Sequence, residues 1–258
     1  MNSPRLIPVV SLVGDEAVKT KSFKDPIYVG DPVNTVSLFS SFEAEELIVL
    51  DISRSFNSNP TSNQTLERIV ESAYMPIAYG GGIYDLDIAE RMFSIGFDKV
   101  VIRKELLNVS LAEEVARKYG SQAVTGCIDL SYSNDNSDKI EVNGVIIDNT
   151  SVEFLIDRIR KSRIGELIIH DKDREGSRCG LRTNWLSEML LEKLTIPMVQ
   201  LGGCSSVIDA AKFVKNTGFH SVAASSIFLF RPTRDAVLIN YPETEDWLNY
   251  LENGDLEQ

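Results

Sequence analysis

The sequence predicts a (β/α)8 TIM barrel, an α/β fold, and two observations carry that prediction. Eight short β-rich runs alternate with segments of helical apolar spacing, and pieces of the first half recur in the second at a nearly constant offset. The β-rich runs are residues 5–11, 46–52, 76–80, 99–102, 122–130, 166–170, 197–201 and 221–224. Helical spacing between them is clearest for Leu86, Ala89, Met92 and Phe93, and for Val152, Leu155, Ile156 and Ile159. Strands separated by helices cannot pair through tight hairpins, so they run parallel, and eight βα units fit the 258 residues. An open doubly wound sheet is the alternative. Two stretches break the rhythm, 12–31 and 131–149; the second contains KIEVNGVIID, a hairpin signal at Asn143 and Gly144. Both follow strand C-termini, the end of a barrel where loops carry function.

The repeat has three parts in register. EELIVLD at 45–51 matches GELIIHD at 165–171, MPIAYGGGI at 75–83 matches IPMVQLGGC at 196–204, and SIGFDKVVI at 94–102 matches NTGFHSVAA at 216–224. The offsets are 120, 121 and 122 residues, so the chain reads as one domain over 1–258, built from half-barrels at about 1–119 and 120–240. Each half carries glycines directly after an apolar strand: Gly80, Gly81 and Gly82 in the first, Gly202 and Gly203 in the second. Without a Cβ, backbone N–H groups can approach an anion at the start of the next helix, which predicts two phosphate sites.

Composition narrows the function. Lys plus Arg number 26 against 38 Asp plus Glu, a net charge of −12 that argues against nucleic acid and anionic membrane as partners. The three cysteines, Cys127, Cys179 and Cys204, form no CxxC, and with two histidines and no HExxH no metal is expected. No cofactor is implied either. The start MNSPRLIPVV lacks a charged leader and a long apolar stretch, and no apolar run approaches 18 residues, which predicts a cytoplasmic location.

RLIPVVSLV, GDPVNTVSLF, EELIVLDI, MPIAYGGGI, FDKVVI, YGSQAV, CIDL, GELIIHDKDREGS, IPMVQLGGC and ASSIFLF together resemble the cyclase subunit of imidazole glycerol phosphate synthase, over about residues 5–230. The resemblance implies a half-barrel repeat with two phosphate sites, a glutaminase partner forming a heterodimer, ammonia entering from the N-terminal face, and ring closure at the C-terminal face. It implies phosphate contacts at Gly81 and Gly82 in one half, where the positive charge of Arg103 and Lys104 would add to the site, and at Gly176, Gly202, Gly203, Ser225 and Ser226 in the other. It also implies a charged ring of Arg5, Glu46, Lys99 and Glu166 as an ammonia gate, with Asp98 and Gln122 meeting the glutaminase, and it matches Lys19 to a mobile-loop lysine.

The family's catalytic pair is two aspartates, at the ends of strands one and five. Asp129 matches the second, but the first position is Ser11, with Asp15 and Glu16 in the loop beyond. A serine hydroxyl does not hold or release a proton near neutrality unaided, so cyclase chemistry is expected to be impaired. The same face departs elsewhere: Arg103-Lys104 replaces a small polar pair, Leu201 a serine and Glu175 an aspartate. Arg103 either adds to a phosphate site or pairs with Asp129. His170 shares the inward strand face of Glu166 and Ile168 and could contact ligand. Cys127 and Cys204 read as packing residues, and His220 as a strand-start residue.

The combination resembles paralogues encoded with surface-polysaccharide genes, in which such a barrel passes ammonia to a third, sugar-amidating protein. The expected function is that of a cyclase-like synthase subunit of a two-component glutamine amidotransferase, with a phosphorylated small-molecule ligand. The alternatives are an active cyclase-lyase of histidine biosynthesis and a phosphosugar-binding or isomerase barrel without a glutaminase.

Overall fold

The computed structural model describes residues 4–21, 24–104, 106, 109–132, 139–231 and 236–253. Eight parallel strands close into a barrel: β1 (Arg5–Val13), β2 (Leu47–Asp51), β3 (Ile77–Gly80), β4 (Lys99–Ile102), β5 (Val124–Tyr132), β6 (Glu166–Asp171), β7 (Met198–Leu201) and β8 (Ser221–Ala224). Each pairs with the next, and β8 pairs back onto β1 with Arg5 opposite Ser221, so the barrel has no free edge. The open-sheet alternative is thereby excluded. Outside lie α1 (Pro32–Ser41), α2 (Asn63–Ser72), α3 (Leu86–Ile95), α4 (Ser110–Tyr119), α5 (Val152–Lys161), α6 (Trp185–Lys193), α7 (Val207–Thr217) and α8 (Thr244–Asn253). Among the described residues, no helix is long and apolar enough to cross a membrane.

Local sequence explains the helix starts. Asp31, Ser62, Asp85, Asn184 and Ser206 each cap a following helix by accepting a backbone N–H, an arrangement worth about 0.5–2 kcal/mol per helix. The predicted turn at Asn143 and Gly144 is present, with φ of 50° and 88°, joining antiparallel strands Ile140–Val142 and Val145–Ile147. The other irregular stretch is more ordered than its sequence indicated. Glu16–Lys21 and Lys24–Gly30 form a second antiparallel hairpin, and its first strand pairs with the end of β1. Its burial pattern alternates poorly, with the second strand largely exposed, so no strand period is visible in the sequence.

Two cores result. The larger fills the space between strands and helices, with Phe39, Phe219 and Phe228 as its bulkiest fully buried members. The smaller lies inside the barrel: Ile7, Val9, Ile48, Ala78, Val101, Cys127, Ile168, Val199, Leu201 and Ala223. Alternation along each strand assigns these positions inward. The same alternation puts Arg5, Lys99 and Glu166 below this apolar layer, joined by Glu46 just ahead of β2, and Ser11, Asp129 and His170 above it. Along its axis the barrel is therefore charged, apolar and charged again.

Candidate functional site

At the N-terminal end, the four predicted gate residues form a closed ring of alternating charge. Arg5 pairs with both Glu46 and Glu166, while Lys99 Nζ stands 2.5 Å from Glu46 and 3.8 Å from Glu166. The two carboxylates are buried, and ionised groups in such a place persist only when each is matched. Asp98 and Gln122 are exposed at the same end. The Asp98 carboxylate accepts the Ile77 N–H at 2.8 Å, tying the starts of β3 and β4, and Gln122 donates to the Tyr119 carbonyl at 3.3 Å.

A cavity of about 540 Å³ opens at the C-terminal end and descends to Ile48, Val101, Cys127 and Ile168. Each of these stands two residues beyond the ring's level, and two residues of strand advance about 7 Å. A single apolar layer and the ring thus separate the cavity floor from the N-terminal face.

Asp129 sits at the cavity's upper wall with both oxygens engaged. Arg103 Nη1 approaches Oδ2 at 2.5 Å, and His170 Nδ1 approaches Oδ1 at 2.8 Å; His170 Nε2 lies 3.2 Å from Glu175 Oε2. This resolves the sequence ambiguity at Arg103 in favour of pairing with Asp129. Asn143 fixes the arrangement from the hairpin, accepting the Asp129 N–H at 2.8 Å and donating to the Arg103 carbonyl at 3.1 Å. Burial opposes charge on Asp129, but the His170 hydrogen bond and the His170 and Arg103 charges outweigh it and hold the carboxyl at about 2. Burial likewise opposes the His170 imidazolium, yet its bonds to Asp129 and Glu175 push it up to about 9. Asp129 is thus a poor base and is not available as an acid near neutrality, and His170 is an imidazolium clamped from both sides.

Ser11 is buried at the end of β1, pairing in register with Leu50 and Val18. Neither of the nearby acids, Asp15 and Glu16, lines the cavity. Asp15 accepts the Ser62 N–H at 2.9 Å, and Glu16 is exposed on the hairpin. Asp51, which lines the cavity, accepts from Ser53 N, Thr61 N and Tyr79 OH.

The two glycine sites differ. Gly81 and Gly202 are equivalent in one respect: a Cβ on either would come within 2.3 or 2.4 Å of the carbonyl oxygen of Asp51 or Asp171, so only glycine allows the strand ends to approach. Gly81, Gly82, Arg103 and Lys104 all line the large cavity, as does Arg54, whose guanidinium lies over Gly82 and 4.9 Å from the Tyr84 ring centre. Gly176, Gly202, Gly203, Ser225 and Ser226 also gather at one pocket, but it holds only about 10 Å³, roughly the room of one water. Arg178 and Glu175 stand on its wall, and Arg178 donates to the carbonyls of Ser226 and Phe230.

Of the remaining candidates, Lys19 places its ammonium 4.4 Å from the Phe230 ring centre. Cys127 is buried and its thiol is pushed well up by burial and by Asp129; Cys204 is pushed up to about 12, mainly by burial. His220 Nδ1 accepts the Met198 N–H at 3.2 Å. Arg54 and Lys172 escaped the sequence reading. Both stand just past a strand's C-terminal end, the position where a barrel places functional residues.

The fold and this axial arrangement define a class of barrel proteins, and comparison with known proteins identifies it. A family model described as histidine biosynthesis protein matches residues 5–234, and the chain belongs to that family. Among its relatives is a Pseudomonas aeruginosa protein named putative imidazole glycerol phosphate synthase subunit hisF2, 35% identical over 93% of this chain and 96% of its own length. A Vibrio vulnificus protein named putative subunit hisF3 is 32% identical over 96% of each chain. The Hydrogenobaculum imidazole glycerol phosphate synthase subunit HisF is 28% identical over 90% of this chain and 92% of its own.

Proposed function

We propose that the chain is the synthase-side subunit of a two-component glutamine amidotransferase, conducting ammonia without closing an imidazole ring itself. One observation carries this reading: a paired charged ring stands at the N-terminal end of the barrel axis, while both oxygens of Asp129 are occupied by Arg103 and His170 at the other. A glutaminase docks at the N-terminal face around Asp98 and Gln122. Ammonia passes the ring formed by Arg5, Glu46, Lys99 and Glu166 and enters the apolar section, which admits neutral ammonia far more readily than ammonium. At the C-terminal cavity it meets a phosphorylated small molecule, or is handed to a third enzyme that amidates a sugar for surface polysaccharide. The setting is the cytoplasm.

The competing reading, an active cyclase-lyase of histidine biosynthesis, draws on the kinship to the subunits named for that synthase and on the presence of Asp129 and His170. A phosphosugar isomerase without a glutaminase would use the charged ring only to close the barrel bottom.

Co-expression with a glutaminase subunit from the same genome tests the proposal. The two chains should purify together, and glutamine hydrolysis by the glutaminase should rise at least about tenfold in the complex, a coupling of about 1.4 kcal/mol in barrier height. Separate elution with unchanged hydrolysis would contradict it.

A further inference from the structure

The cluster on Asp129 reaches beyond the cavity. Arg103 and His170 hold the two oxygens of Asp129, and the second ring nitrogen of His170 lies 3.2 Å from Glu175 Oε2. These four groups alternate in sign and balance only while His170 keeps its proton, as it does near neutrality with its pKa pushed up to about 9. Glu175 belongs at the same time to a different place: it lines the small pocket at the second glycine turn, together with Gly202, Gly203, Ser226 and Arg178. A carboxylate left unmatched there would repel a ligand anion.

Arg178 is the cation of that pocket. Its Nη2 donates to the carbonyls of Ser226 and Phe230, and its buried Nε has no hydrogen-bond partner among the described residues. Burial pulls its pKa down, and among the described residues no carboxylate stands within ion-pair distance to oppose that. A charged acceptor bonds a guanidinium roughly twice as strongly as a neutral one, so the carbonyls hold Arg178 only until an anion arrives. Only about 10 Å³ lies between the pocket walls, so the anion nearest to hand is Glu175 itself. Released from His170, its carboxylate would pair with Arg178 and take the place of a ligand's phosphate.

We propose that His170 is a positioning residue for a phosphate at the second glycine turn: it holds the Glu175 carboxylate toward Asp129 and away from Arg178, which then exchanges its two carbonyls for the phosphate oxygens. His170 touches no ligand in this role. It acts through Glu175, by keeping an internal competitor out of the anion's place. This inference rests on the reading of the C-terminal mouth as a phosphate-ligand site and names what sets the affinity at one end of it.

Titration of the full, isotope-labelled chain with orthophosphate at neutral pH and fixed ionic strength provides the test. Binding is followed by NMR on the amides of Gly203 and Ser226, with Gly82 at the first turn as internal reference. His170→Gln should weaken binding at Gly203 at least about tenfold, the scale for stranding one member of a buried charge pair, and leave Gly82 unaffected. Arg178→Gln should weaken it likewise, whereas Glu175→Gln should bind at least as tightly as wild type. The double variant His170→Gln with Glu175→Gln should recover wild-type affinity, which a merely structural loss at His170 would not do. His170→Asn carries the same comparison if His170→Gln does not fold. Unchanged affinity in His170→Gln or Arg178→Gln, or no recovery in the double variant, overturns this assignment alone. Absence of any shift at Gly203 and Ser226 in both wild type and Glu175→Gln overturns the phosphate reading beneath it as well.

Discussion

Replacing Glu46 by alanine is expected to lower the stability of the folded chain by about 3 kcal/mol, the low end for a broken buried pair, because it leaves Lys99 with only a loose carboxylate contact and Arg5 with one partner of two. The Glu46 side chain is only 4% exposed, so water does not take over its role. Glu166 still faces Arg5 and Lys99, but at 3.8 Å its contact with Lys99 is loose. Urea unfolding followed by circular dichroism reads the change as a fall in midpoint with unchanged slope. Lys99→Met should cost less, since it removes one charge and leaves Glu46 paired with Arg5. Equal stability of wild type and Glu46→Ala would mean that the ring is solvated and does not seal the barrel bottom. If Glu46→Ala fails to fold, Glu46→Gln carries the same comparison with the side-chain volume kept.

Stability should also follow pH in a way set by the Asp129, His170 and Glu175 cluster. The folded His170 pKa, about 9, lies above its ordinary value of 6.5, so its contribution is complete below pH 6.5 and is lost as pH rises through 9. Asp129, held at about 2 instead of 3.8, contributes above pH 4 and ceases to as pH falls through 2. The cluster is therefore strongest between about pH 4 and 6.5. Raising the pH from 6 to 10 should cost on the order of 3 kcal/mol through His170. His170→Gln should remove most of that slope while lowering stability at pH 6. A wild-type slope that persists in His170→Gln would place the titrating group elsewhere.

The sequence was most informative where a physical period repeats. Eight strand runs and the offsets near 120 residues predicted a closed barrel, and alternation put His170 on the inward face with Glu166 and Ile168, while its place beside Asp129 comes from the strand register. The Asn143–Gly144 turn was legible because few residues other than Asn and Gly adopt positive φ at two successive positions. The hairpin from Glu16 to Gly30 was not legible, because its outer strand is exposed and carries no burial alternation.

Pairing of Arg103 with Asp129 was one of two options in the sequence, since choosing between them needs the position of Asn143 from the distant hairpin. The inequality of the glycine sites lay beyond the motif altogether. Gly202 and Gly203 repeat Gly81 and Gly82, but Arg178 reaches across to Ser226 and Phe230 from a backbone with φ of 55°, and no local pattern announces that contact. Arg54 and Lys172 look like ordinary surface cations until the cavity shows what they share.

The most direct measurement is a single-turnover assay of the isolated chain with saturating ammonium salt and the phosphorylated substrate of the histidine-pathway cyclase, which bypasses any glutaminase. With Ser11 in place of an acid and Asp129 held between Arg103 and His170, ring closure should fall at least about a hundredfold below that of a cyclase bearing both aspartates, the usual worth of one general acid or base. Turnover within tenfold of such a cyclase would contradict the account.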